Sequence, residues 1–73
     1  MGQVLSNKEK TLKICEAISA FEKAELITSE EKNTLCRWLL HEDFERIGNF
    51  IEKRRGLNPF LETLIDDVLD MCY

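Results

Sequence analysis

The sequence predicts an all-α fold, a small bundle of about four helices with short connections. Apolar residues recur every three or four positions in four successive segments. Capping residues, glycine or proline mark most borders of these segments. No segment shows β-strand alternation over a useful length. The 73 residues suffice for one domain, so residues 1–73 are predicted to form a single helical domain in which residues 1–5 are a flexible N-terminus.

The first helix is predicted from about Asn7 to Ala24. Ser6 and Glu9 have the spacing of a capping box at its start. The apolar positions that follow predict a core-facing stripe: Ile14, Ala17, Ile18 and Phe21. Leu12 lies far from this stripe on a helical wheel, and Leu5 lies about two turns earlier on the same side. These two leucines indicate either a wide core or ordinary surface exposure, or else a partner or dimer surface.

The second helix is predicted from about Ser29 to Leu40, because Thr28 and Glu31 repeat the capping-box spacing. Its apolar face contains Leu35, Trp38 and Leu39. The border with the third helix is open, since residues 41–43 contain neither glycine nor proline. Asp43 could cap a separate helix, or helices 2 and 3 could be continuous and leave three helices.

The third helix carries the next apolar stripe: Phe44, Ile47, Phe50 and Ile51. It is predicted to close with the basic run at 53–55 and Gly56, because cations and a left-handed glycine favour a helix C-terminus. Asn58 and Pro59 predict the start of the fourth helix, as an N-cap followed by proline. This helix carries Leu61, Leu64, Ile65, Val68 and Leu69 toward the terminus.

Composition narrows the class of protein. Charged residues make up 33% and hydrophobic residues 44%, which is typical of a folded domain and not of a disordered chain. Neither an apolar run of membrane-spanning length nor a signal-peptide pattern is present, so a cytoplasmic location is expected. The three cysteines form no CxxC pair and are expected to be free thiols in a reducing compartment. Cys15 and Cys36 are expected to be buried and Cys72 to be exposed.

The net charge of −4 arises from the second half of the chain. Residues 1–37 contain six basic and six acidic side chains, whereas residues 38–73 contain four basic and eight acidic ones. On helix 4, Glu62, Asp66 and Asp70 form one stripe at intervals of four residues. Three explanations stay open. The stripe could pair with lysines of helix 1 (Lys8, Lys10 and Lys13), be solvated, or meet a basic surface on a partner protein.

The function predicted from these features is that of a non-catalytic, intracellular protein-binding or regulatory module, including an inhibitor. Its partner would be another protein, or a second copy in a homodimer. The size and charge are similar to those of small phage or viral proteins that inhibit a host protein. The predicted binding face comprises Phe60, Leu64 and Met71 for apolar contact, with Glu62, Asp66 and Asp70 for register and association rate.

Two other functions are weighed against this one. The N-terminal residues match the N-myristoylation pattern, with Gly2 as the acceptor, which would make the chain a peripheral membrane protein. Helices 2 and 3 could also imitate a DNA-binding helix-turn-helix with Arg46, Lys53, Arg54 and Arg55 as its cations. Nucleic acid is nevertheless not an expected partner, because acidic residues accompany these cations and the whole chain is acidic.

No enzymatic chemistry is predicted. His41 is the only histidine, and neighbouring residues on a helix point about 100° apart, so Glu42 does not form a catalytic dyad with it. The cysteines and His41 lack the additional closely spaced ligands that a zinc site needs. We therefore expect neither a cofactor nor a metal.

Overall fold

The structure is a computed structural model that describes residues 6–73. Within this range the chain forms four α-helices and no strand, which confirms the predicted all-α bundle. The helices are α1 (Asn7–Lys23), α2 (Ser29–Leu40), α3 (Phe44–Glu52) and α4 (Glu62–Cys72), and a 3-10 turn (Pro59–Leu61) precedes α4. The prediction that residues 1–5 are a flexible N-terminus lies outside the described residues.

Both predicted caps lie at the starts of their helices, but only Thr28 and Glu31 form a complete capping box, because the Glu9 carboxylate accepts from the Ser6 hydroxyl. The Ser6 hydroxyl accepts a hydrogen bond from the Glu9 N–H at 3.2 Å, and α1 ends one residue before the predicted border. At the start of α2, Thr28 Oγ1 accepts from the Glu31 N–H at 3.1 Å, and Glu31 Oε1 accepts from the Thr28 N–H at 2.9 Å. These bonds satisfy backbone donors that the first helical turn leaves without partners.

The core lies where the four apolar stripes meet. Each helix packs on the next in the chain, and α4 returns to pack on α1. Eight side chains are fully enclosed: Ile14, Ile18, Phe21, Leu35, Ile47, Ile51, Ile65 and Val68. No buried residue among those described is polar or charged, so burial of apolar surface is the main source of stability.

Helices α2 and α3 are separate. The chain turns at His41 and Glu42, and Glu42 adopts a left-handed backbone with φ of 55°. Its carboxylate Oε1 accepts a hydrogen bond from Asn7 Nδ2 at 2.7 Å, which ties this corner to the start of α1. Asp43 precedes α3 but makes no side-chain cap, and its backbone, with ψ of 65°, is not extended as in a typical capping residue. Its carboxylate pairs with Arg46 Nε at 3.2 Å.

The connection from α3 to α4 differs in detail from the prediction. Asn58 Oδ1 accepts from the Phe60 N–H at 3.0 Å and Pro59 follows it, as expected for a helix start. The first turn is nevertheless 3-10, so α4 itself begins only at Glu62. Helix α3 ends at Glu52, which places the basic run in the connection and not on the helix. Gly56 has φ of 86°, a conformation that other residues rarely adopt.

The end of α4 crosses α3 at Gly48. A Cβ atom at this position would lie 2.9 Å from Tyr73 Cζ and 3.1 Å from Cys72 Cβ. The Tyr73 hydroxyl donates to Asn49 Oδ1 at 2.8 Å. Glycine is therefore required for the close approach of these two elements.

Candidate functional site

A groove of about 580 Å³ lies between α1 and α4. Its apolar surface comes from Ala17 and Ala20 of α1 and from Leu64 and Met71 of α4. The two alanines carry only a Cβ atom, so the surfaces of the two helices do not fill the space between them. The groove therefore presents an apolar floor to solvent beside a closed core.

Charged side chains border this groove. Lys13 and Glu16 lie on the α1 side, and Asp67 and Asp70 lie on the α4 side. Among residues 6–73, no ion pair joins Lys8, Lys10 or Lys13 to α4. With three carboxylates and one ammonium group, the border favours a cationic group on any ligand.

The acidic stripe of α4 does not form one surface. Arg55, from the α3–α4 connection, pairs with Asp66 and lies 3.5 Å from Glu62 through its Nε. The Gly56 N–H also donates to Glu62 Oε2 at 3.0 Å. Two of the three predicted carboxylates thus share a single cation within the chain, and that cation is Arg55, not a lysine of helix 1 as one explanation held.

The predicted binding residues separate into two groups. Leu64, Asp70 and Met71 share the α1–α4 groove. Glu62 and Asp66 face Arg55 on the other side of α4, and Phe60 is 95% exposed on the 3-10 turn before it. The sequence brought Lys13 near helix 4 only as an ion-pair partner, and it did not indicate Glu16, Ala17, Ala20 and Asp67 as groove residues. The spacing of the two alanines gives no indication that α4 lies opposite them.

A second groove of about 450 Å³ lies between α1 and α2. It is lined by Lys8, Thr11, Leu12, Cys15, Cys36, Leu39 and Leu40. Leu12 is 62% exposed and Leu40 is 82% exposed, which confirms that Leu12 lies away from the core. Leu5, the other off-stripe leucine, lies outside the described residues.

The cations of the helix-turn-helix alternative are largely occupied by intramolecular pairs. Arg46 pairs with Asp43, Arg54 with Glu31, and Arg55 with Asp66 and Glu62. Arg54 also lies 4.9 Å above the Phe50 ring, a cation–π contact. Phosphate binding would have to compete with these carboxylates, so the arrangement does not favour DNA.

The thiols are arranged differently from the prediction. Cys15 is exposed, while Cys36 and Cys72 are partly buried, because Cys15 lies beside Leu12 on the outer side of α1 and Cys72 packs near Gly48. Burial raises the pKa of the Cys72 thiol to about 11. Burial also raises the pKa of Cys36. A reactive cysteine needs the opposite shift, toward a thiolate at neutral pH.

Several predictions concern chemistry at other positions. Across residues 6–73, no group of three or more histidine, cysteine or carboxylate side chains is placed to hold a metal ion. None of the helices described is both long and apolar enough to cross a membrane. Gly2, the predicted myristoylation site, lies outside the described residues.

Comparison of this chain with protein-family models, curated proteins and solved structures found no match.

Proposed function

We propose that the chain is a non-catalytic protein-binding module that holds a segment of a partner protein in the α1–α4 groove. The single observation that carries this proposal is the combination of an apolar floor with an acidic border in that groove. Binding would make that segment of the partner inaccessible to other molecules, which would give an inhibitory or regulatory effect. The proposal includes a cytoplasmic location, which the three free thiols support.

The groove favours an amphipathic helical segment as its ligand. An apolar side chain of such a segment would lie against Ala17, Ala20, Leu64 and Met71, in the way that amphipathic helices dock in hydrophobic grooves. A lysine or arginine one helical turn away would face Asp67 and Asp70. Exposed ion pairs of this type raise the association rate and select orientation more than they add affinity.

The test is an NMR titration of the isotope-labelled full chain with a designed helical peptide that carries leucine and lysine on one face. We expect the largest amide shifts at Ala17, Ala20, Leu64 and Met71. A peptide with glutamate in place of each lysine should bind at least about 10-fold more weakly, since it faces the same carboxylates. Added salt should weaken binding of the lysine peptide.

Matched variants separate the groove from the general acidity of the chain. Asp67→Asn combined with Asp70→Asn should weaken binding of the lysine peptide by about 3- to 10-fold. Glu30→Gln combined with Glu45→Gln makes the same change in net charge at exposed positions outside the groove and should leave the affinity unchanged. Equal losses in the two double variants, or shifts centred elsewhere, would show that the groove is not the binding site.

A further inference from the structure

The α1–α2 face, which contains the second groove, is more apolar than the α1–α4 groove. Five large apolar side chains are strongly exposed in residues 6–73, and two of them, Leu12 and Leu40, line this one groove. Leu39, Cys15 and Cys36 continue the apolar lining between them, and Lys8 is the only charged residue in it. Leucines grouped in this way indicate an interface more strongly than single exposed leucines do.

The charge pattern along α1 identifies what covers this face. Lys8, Leu12 and Glu16 follow one another at intervals of four residues, so a cation, a leucine and an anion lie on one ridge of the helix. If a second copy packs with its α1 antiparallel and Leu12 on the two-fold axis, Lys8 of each copy lies opposite Glu16 of the other. A two-fold interface requires this self-complementarity. A parallel arrangement would instead place like charges together.

The size of the face indicates how strong such a contact can be. With 17 residues, α1 is about 25 Å long, and two packed helices present a face roughly 20 Å wide. The resulting area of about 500 Å² is smaller than the about 800 Å² that each partner of a standard-size complex buries, so we expect a dimer whose population rises with protein concentration. Glu16 also borders the α1–α4 groove, so dimerisation would take up one of the three carboxylates of that border and leave the apolar floor of the groove in place.

We propose that the chain forms a two-fold symmetric homodimer through the α1–α2 face, with the two α1 helices antiparallel about Leu12. The dimer covers Leu12 and Leu40 and forms two identical pairs between Lys8 and Glu16. It also presents two α1–α4 grooves, so a partner with two suitable segments binds with an effective concentration that a monomer cannot supply.

Analytical ultracentrifugation of the full chain in reducing buffer, over a range of micromolar concentrations, tests the proposal. The wild-type chain should shift from monomer to dimer as its concentration rises. Leu12→Glu and Leu40→Glu should each weaken dimerisation by about 100-fold or more, because both copies then bury a carboxylate. Leu57→Glu is the matched control, since Leu57 is 65% exposed but lies on the α3–α4 connection, and it should remain dimeric. Circular dichroism should show unchanged helicity in all three variants, whose leucines are exposed.

A charge exchange tests the antiparallel register. Lys8→Glu alone and Glu16→Lys alone should each weaken the dimer, whereas the double variant Lys8→Glu/Glu16→Lys should restore it. A monomer at every concentration, or a dimer that survives Leu12→Glu, overturns the proposed interface. Loss of the dimer in both single variants without rescue in the double variant overturns the register. Leu12→Glu should still bind the lysine peptide in the α1–α4 groove, so failure of the dimer is distinguishable from failure of the proposed function.

Discussion

Gly48 determines how closely the end of α4 approaches α3. In an open helix, Gly→Ala stabilises by about 1 kcal/mol. Here the added Cβ would lie 2.9 Å from Tyr73 Cζ and 3.1 Å from Cys72 Cβ, so both residues must shift. We expect Gly48→Ala to lower the free energy of unfolding by about 1 to 2 kcal/mol, measured by urea denaturation. In a Tyr73→Ala background the loss should be smaller, and a Gly48→Ala chain more stable than wild type would contradict this account.

Cys72 predicts a loss of stability at alkaline pH. Its pKa rises from 9.0 to about 11 because the thiol is partly buried. Between these values the unfolded chain loses the thiol proton while the folded chain retains it, so the free energy of unfolding falls as pH rises from 9.0 to about 11. Urea denaturation over this range should show a steeper fall for wild type than for Cys72→Ala. Identical slopes in the two chains would disprove the linkage to this thiol.

At the scale of the helix, Glu31 joins two elements. One carboxylate oxygen accepts from the Thr28 N–H in the capping box, and the other pairs with Arg54 beyond α3. We expect Glu31→Ala to lower the free energy of unfolding by about 1.5 to 2 kcal/mol and Thr28→Ala by about 1 kcal/mol. Glu31→Gln keeps an acceptor for the cap and should therefore lower the free energy of unfolding by less than Glu31→Ala does.

A double-mutant cycle with Arg54→Ala isolates the link between the two elements. If the ion pair contributes to stability, Arg54→Ala should lower the free energy of unfolding by less in the Glu31→Ala background than in wild type. The same cost in both backgrounds, measured by urea denaturation, would show that Glu31 acts through the cap alone.

Helix borders were predictable where short-range chemistry determines them. The starts of α1 and α2 were predicted correctly, because an N-terminal cap is formed by residues only three apart. The end of α2 was also correct, and the end of α1 differed by one residue. The corner at Glu42 was not predictable, since a left-handed glutamate leaves no pattern in the sequence and is held by Asn7 from another helix. The 3-10 turn after Asn58 was missed for a similar reason, because the same cap and proline serve both helix types.

At the scale of the whole molecule, the core was predictable and the candidate site only in part. Periodicity identified the buried stripe of each helix but not Leu26 and Ile27, which are buried in the α1–α2 connection. It also does not determine which helices are neighbours. The groove depends on Ala17 and Ala20 facing α4, and the charge of α4 depends on Arg55 reaching back from the connection. Both features depend on contacts between elements, so the residues of a single helix predict only part of the site.

The ion pairs of the adjacent residues Arg54 and Arg55 link distant parts of the bundle. These consecutive side chains extend to different helices, Arg54 to Glu31 at the start of α2 and Arg55 to Asp66 on α4. A ligand that competes for Asp66 would release Arg55, while the adjacent Arg54 would keep its ion pair with Glu31. The α3–α4 connection is therefore held between α2 and α4 by two consecutive side chains.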